Sequence, residues 1–274
     1  MNVLEAIVLG IVQGLTEFWP ISSTAHLRIV PAFLGWEDPG AAFTAVTQLG
    51  TMAAVLLYFR ADLWRIARAW VLSLLGRVSR GNVDARLGWY IVLGTIPIAI
   101  LGYALRDEIE SGARSLYLIG TTLILLGLLL ALAERVGRRD RGVDSLTPTD
   151  AAVIGFAQAA ALVPGVSRSG GTITAGLFLG LEREAAARFS FLLSVPAVVL
   201  SGLFELYQII DGSAKVETAA APLIIATALA FVFGYAAIAV LLRYLVTHTM
   251  TVFVAYRVLL GAAVILLTAT GAIG

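Results

Sequence analysis

"FWPISSTAHLRIV", residues 18–30, places a proline, two serines, a threonine, a histidine and an arginine between apolar flanks, in a chain of 274 residues that is 59% hydrophobic and 14% charged. Such a chain spends polar groups sparingly, so this cluster decides how the rest is read. A helix needs about 20 apolar residues to cross a bilayer core, and segments of that length lie at 41–59, 87–105, 116–133, 189–209, 221–243 and 251–271. Strand-like alternation is absent, and only helices or closed barrels satisfy backbone polar groups in lipid. The reading is an all-α polytopic membrane protein with six transmembrane helices.

The opening "MNVLEAIVLG" carries Glu5 and no basic leader, so it does not read as a cleaved signal. No cysteine occurs, which removes disulfides, thiolate metal sites and a cysteine nucleophile. The net charge of +1 says little, because in a membrane protein the placement of charge matters more than its sum. Residues 60–86 hold Arg60, Arg65, Arg68, Arg77, Arg80 and Arg86 against Asp62 and Asp84, and "ERVGRRDRGVD" within 134–150 holds four arginines. Arginine-rich connections stay in the cytoplasm. The more acidic "RDEIESGAR" at 106–114 then lies outside, as do 27–40, 210–220 and the C-terminus.

Residues 1–35 and 151–181 are apolar but broken in the middle. "GIVQGLTEFWPISSTAHLRIVPAFLG" (10–35) and "GFAQAAALVPGVSRSGGTITAGLFLG" (155–180) align without gaps at an offset of 145, with Gly10 on Gly155, Gln13 on Gln158 and Ser22 on Ser167. The polar breaks coincide. The charge-derived topology enters the first segment from outside and the second from inside, so the halves, approximately 1–133 and 151–274 of one membrane domain, form an inverted-topology repeat with two re-entrant helical hairpins. Such repeats commonly bring half-helix N-termini to a site near the midplane.

In the first hairpin, Gln13 and Glu17 are four apart and share a helix face. Pro20 ends that helix, Ser22, Ser23 or Thr24 can cap the next, and His26 falls in its first turn. In the second, Pro164 and Gly165 make the break, Ser167 or Ser169 caps, and Gly170 and Gly171 let backbone approach a ligand. A helix N-terminus behind a glycine- and hydroxyl-rich turn binds anions, and two of them suggest a diphosphate. Arg168 strengthens that reading, because its guanidinium fork matches phosphate oxygens and an arginine at membrane depth needs a partner. The plainer alternative is that Arg168 only pairs with Glu17. For Glu5, Glu205 and Arg257 the expectation is plain as well: snorkelling or local pairing near segment ends. His248 is expected in a solvated turn.

"QGLTEFWPISSTAH" with "PGVSRSGGT" closely resembles the signatures of the undecaprenyl-diphosphate phosphatases of the bacitracin-resistance type, membrane enzymes of bacterial cell-wall lipid recycling, over essentially the whole chain. The resemblance implies a multi-pass protein of the bacterial inner membrane, with a site open to the outer face, that converts the isoprenyl diphosphate to the monophosphate and releases phosphate. It implies a Mg²⁺ or Ca²⁺ cofactor on Glu17; here Gln13 fills the motif's first position, leaving Glu17 its only carboxylate. Arg168, Ser167, Ser169, Thr172, Gly170 and Gly171 would hold the diphosphate with Gln13, Ser22 and Thr24 nearby. Either Ser23 or His26 is the nucleophile, or Ser23 attacks with His26 as its base. The partners implied are the polyprenyl diphosphate and membrane lipids, with no nucleic acid; a homodimer is compatible with the resemblance.

A transporter or flippase for an anionic lipid is the rival, since inverted repeats around broken helices are transporter architecture. A histidine beside serines at the polar tip favours hydrolysis. Acid-phosphatase-like lipid phosphatases share a histidine and an "SR" pair but need a second histidine near that arginine, and His248 is far from it in sequence.

Overall fold

The computed structural model describes residues 1–105, 115–211 and 218–273. Among them the α-helices are α1 (Val3–Phe18), α2 (Ser23–Leu34), α3 (Gly40–Tyr58), α4 (Arg60–Leu74), α5 (Val83–Ala104), α6 (Leu116–Val136), α7 (Pro148–Ala159), α8 (Arg168–Phe178), α9 (Arg183–Asp211), α10 (Ala220–Leu245) and α11 (Thr251–Ala269). Five of these, α5, α6, α9, α10 and α11, are long and apolar enough to cross a membrane, and the number is six if the bent pair α3–α4 is one span. The all-α polytopic class and the six apolar segments are therefore as the sequence indicates. The predicted outside connection 106–114, the middle of 210–220 and the side chain of Glu205 lie outside the described residues.

Two boundaries differ from expectation for physical reasons. Residues 60–86 are not simply a connection: α4 occupies much of them, turned 73° from α3, with the corner at Phe59 (φ −95°, ψ 14°). Its arginines and Asp62 hid a helix that is amphipathic rather than apolar, with Trp64 and Leu74 exposed and Ile66 buried. Similarly, α5 begins at Val83 instead of 87, because Asn82 caps it by accepting from Ala85 N at 3.1 Å and Asp84 in its first turn pairs with Arg65 at 2.9 Å. Charged residues end an apolar window without ending a helix.

The two broken segments are each a pair of helices, α1 with α2 and α7 with α8. Their starts match: Asn2 and Glu5 form a capping box on α1, and Thr147 and Asp150 form one on α7, positions related by the same offset of 145. Gly10 and Gly155 match too. A Cβ at Gly10 would lie 2.5 Å from the Ala226 carbonyl of α10, and one at Gly155 would lie 2.6 Å from Gly94 of α5. Each hairpin thus presses a small residue into a neighbouring long helix, the way helices approach closely where lipid supplies no hydrophobic drive. The last turn of α1 is fixed from its other side, where Phe18 meets Phe191 of α9 edge to face at 5.4 Å.

Candidate active site

The two breaks are built alike. At the first, Trp19 is extended (φ −72°, ψ 144°), as the residue before a proline prefers. Ser22 then turns into the left-handed region at φ 74° and accepts from Ala25 N with its hydroxyl at 3.4 Å, starting α2. At the second, Val163 is extended before Pro164, and Ser167 turns at φ 71° and accepts from Gly170 N at 3.0 Å, starting α8. Positive φ at a serine costs energy, and two such serines at matched positions mark where the backbone is held for a purpose. Gly165 (φ +86°) has to be glycine: a Cβ there would fall 2.0 Å from Thr122 Oγ1, which donates to Pro164 O at 2.7 Å.

A buried guanidinium joins the breaks. Arg257 of α11 donates to Pro20 O at 2.9 Å, to Gly165 O at 2.9 Å and to Val166 O at 3.2 Å, and also reaches Leu123 O on α6 at 3.2 Å. Among the described residues it has no carboxylate partner; its whole fork serves backbone carbonyls. This corrects the expectation of snorkelling or local pairing: Arg257 is one of the largest fully buried side chains and organises both tips. The rule that an intramembrane charge marks function would have found it. Glu5 and His248 are as expected, one in its capping box and the other exposed.

What the breaks hold together is Glu17. Its Oε2 accepts from Ser23 Oγ at 2.6 Å and from Gln13 Nε2 at 3.0 Å, and its Oε1 accepts from Arg168 Nη2. Ser23 and Arg168 are the first residues of α2 and α8, so the two helix N-termini converge on one carboxylate. Their first-turn N–H groups have no intrahelical acceptor. Gln13 Oε1 is buried without a hydrogen-bond partner, an acceptor waiting for a donor or cation.

Beside this cluster opens a cavity of about 620 Å³. Gln13, Glu17, Ser22, Ser23, Thr24, Arg28, Ser167 and Arg168 supply polar lining, with Thr44 and Gln48 of α3; Ile98 and Tyr103 of α5 and Leu200 and Phe204 of α9 supply apolar lining. The polar lining was legible in the motifs. The apolar lining was not, because nothing in a uniformly greasy helix says which of its residues face a cavity.

Some expected site residues stand elsewhere. His26 has its ring nitrogens on partners other than Ser23. Its Nδ1 donates to Ser22 O at 2.7 Å, which leaves Nε2 to accept from Tyr256 Oη, also at 2.7 Å, behind the cavity wall. Ser23 meets the Glu17 carboxylate instead. Ser169 donates to Trp19 O at 3.0 Å, Thr172 shares a 2.6 Å bond with Ser190, Gly170 has its N–H on Ser167, and Gly171 faces the Ala157 carbonyl of α7. None of these four lines the cavity. These positions are spent on protein partners, so the motif's second half holds the tip of the hairpin together.

Residues 6–263 match the family model described as Bacitracin resistance protein BacA. The chain belongs to this family. It is 56% identical over 273 residues to an undecaprenyl-diphosphatase of Nocardioides sp., covering 100% of this chain and 99% of that one. It is also 52% identical over 278 residues to the undecaprenyl-diphosphatase of Chlorobaculum parvum (99% of each chain), and 53% identical over 275 residues to that of Pseudarthrobacter chlorophenolicus (100% and 99%).

Proposed function

We propose that this chain hydrolyses undecaprenyl diphosphate to undecaprenyl phosphate and inorganic phosphate. The observation that carries the reading is the Glu17 cluster, a nucleophile-type hydroxyl and a phosphate-type cation on one carboxylate between two helix N-termini, in a cavity whose apolar lining suits a prenyl chain. The transporter or flippase alternative is not supported: the relatives are named as diphosphatases.

In this reading Ser23 Oγ attacks the terminal phosphorus while Glu17, already accepting its hydrogen bond, takes the proton. The bond from that phosphorus to the bridging oxygen breaks, and the lipid monophosphate leaves. Glu17 hands that proton to the bridging oxygen of the leaving lipid monophosphate; as a carboxylate again, it takes a proton from the water that cleaves the phosphoserine and returns it to Ser23 Oγ as phosphate is released. Arg168 exchanges Glu17 for phosphate oxygens, with the N–H groups at the starts of α2 and α8 as further donors. His26 positions: its bond to Ser22 O steadies the strained cap next to the nucleophile.

The oxygen donors fit a hard divalent cation. Gln13 Oε1 is an orphaned oxygen beside Glu17, and among the described residues no three His, Cys, Asp or Glu gather as a metal cluster. Glu17 and Gln13 would therefore hold Mg²⁺ or Ca²⁺ with the substrate's own phosphates completing the shell, and the ion would neutralise charge on the diphosphate.

The inverted repeat, the cytoplasmic arginine-rich connections and a site open to the outer face of the inner membrane belong to the same proposal. The matched capping boxes, close-contact glycines and strained serines support the repeat, and the arginine asymmetry supports the orientation. The test is phosphate release from undecaprenyl diphosphate by the purified protein in detergent, with Ser23→Ala beside it. Release that survives Ser23→Ala undiminished sinks the nucleophile assignment, and no release by the unmodified protein sinks the function.

A further inference from the structure

One charged residue in the cavity wall has no role in the chemistry above. Arg28 lines the cavity together with Thr24, which lies one helical turn before it on α2, so both project from the same face. It stands five residues beyond Ser23, about 7.5 Å along the axis at about 1.5 Å per residue. Helical side chains lean back toward the N-terminus, and an arginine spans that gap. It pairs with Asp38, in the connection to α3, with Nε to Oδ2 at 3.4 Å. Asp38 does not line the cavity; its other oxygen accepts from Gly40 N at 3.0 Å at the start of α3.

The charge balance asks for such a group. Arg168 and Glu17 cancel one another, so a divalent ion there would offset two of the two or three negative charges on a lipid diphosphate and leave no side chain of the cluster for its second phosphate. A prenyl diphosphate whose terminal phosphate lies at Ser23 carries its inner phosphate next to that group in the same cavity, and Arg28 is the other arginine among the described lining residues. We infer that Arg28 is a further substrate-contacting residue that holds the inner phosphate, the one retained by the lipid product. Resting on the diphosphatase reading, this assigns the two phosphates to different arginines: Arg168 for the group transferred, Arg28 for the group kept. Asp38 is the carboxylate that Arg28 exchanges for the phosphate.

The competing role is a strut, in which Arg28 and Asp38 only tie α2 to the connection after it. The two roles differ in sign. Arg28→Met keeps the bulk and removes the charge; Asp38→Asn keeps the oxygen for Gly40 and loosens the hold on Arg28. A phosphate contact predicts that Arg28→Met raises KM for undecaprenyl diphosphate about tenfold or more, the usual worth of a charge-assisted hydrogen bond, and weakens inhibition by undecaprenyl phosphate in parallel, with kcat changed less. Asp38→Asn should lower KM. Arg28→Lys, measured alongside, keeps charge without the fork and should fall between wild type and Arg28→Met at an unchanged thermal midpoint; it decides the matter if the methionine variant does not fold. The inference is overturned if Arg28→Met leaves KM and product inhibition within twofold of wild type, or if the Arg28 and Asp38 variants raise KM and lower the thermal midpoint together. Absence of phosphate release by the wild-type protein would instead refute the diphosphatase reading itself.

Discussion

Arg257→Leu is the substitution outside the reacting groups for which the structure sets the largest cost. Leucine suits an apolar span but brings no donor. The carbonyls of Pro20, Gly165 and Val166 sit at helix breaks, and among the described residues Arg257 is the donor that reaches them. A buried acceptor left bare costs about 1–3 kcal/mol. Three of them put the loss at about 3 kcal/mol even at the low end of that range, of which part is returned because a guanidinium no longer has to be desolvated. A net loss of about 2 kcal/mol corresponds to roughly 4–8 °C in a domain of this size class. The assay is the thermal midpoint in detergent beside phosphate release well below it. Turnover should fall by more than the unfolded fraction explains, since the same breaks aim Ser23 and Arg168. Arg257→Lys, with three donors and no fork, should lie between. Wild-type midpoint and turnover in Arg257→Leu would refute the argument that this side chain organises the two tips.

Glu17→Gln should lower phosphate release by about a hundredfold or more, the worth of a general base, while Gln13→Glu retains activity; near-normal turnover in Glu17→Gln would remove it as base. Arg168→Lys should lose activity about tenfold or more with little change in thermal midpoint, because a single ammonium cannot clamp phosphate as a fork does; a fully active lysine variant would reduce Arg168 to a counter-ion. Asp150 is held below the usual carboxylate range: burial opposes this, but the 2.6 Å bond from Arg141 and those from Thr147 outweigh it. A depressed carboxylate stabilises above its unfolded pKa, here near 3.8, and loses that contribution as pH falls through the lower folded value. Asp150→Asn should therefore cost about 1–3 kcal/mol at neutral pH, and its deficit in thermal midpoint should shrink below pH 4; a pH-independent deficit would discount the charge. A cysteine at position 82 should resist impermeant labels applied outside intact cells, and ready labelling would reverse the topology.

The sequence carried the class and the breaks well because both rest on local signals. Apolar length gave the long helices, and Pro20, Pro164, Gly165 and the serines gave the interruptions. Gln13 and Glu17 on one helix face, and the pairing of Glu17 with Arg168, were also within reach of spacing and charge. What escaped depends on three-dimensional direction. Ser23 and His26 are three apart on α2, close enough to suggest a base, yet the ring turns to Tyr256 on a helix 230 residues away. Arg257 is conspicuous as a charge within an apolar span, but its partners are backbone carbonyls, which leave no mark in a sequence. Arg28 stood in the first stretch read and went unassigned, because nothing local says that Thr24 and Arg28 face the cavity while His26 faces α11.

The matched hairpins also explain why the chemistry is lopsided on a frame that is not. At an offset of 145 Ser23 corresponds to Arg168, and Glu17 corresponds to Leu162. The scaffold therefore offers the same place twice, the first residue of a helix behind a strained serine, once to a hydroxyl and once to a guanidinium. Only one hairpin supplies the acid. A second carboxylate at position 162 would repel a diphosphate and leave Arg168 divided between two anions, whereas leucine there adds apolar lining to the cavity. One acid between a nucleophile and a cation is the arrangement in which Glu17 can hold both in the resting state and release both to phosphate. Leu162→Glu is accordingly the change that restores the symmetry and removes the asymmetry that the reaction requires.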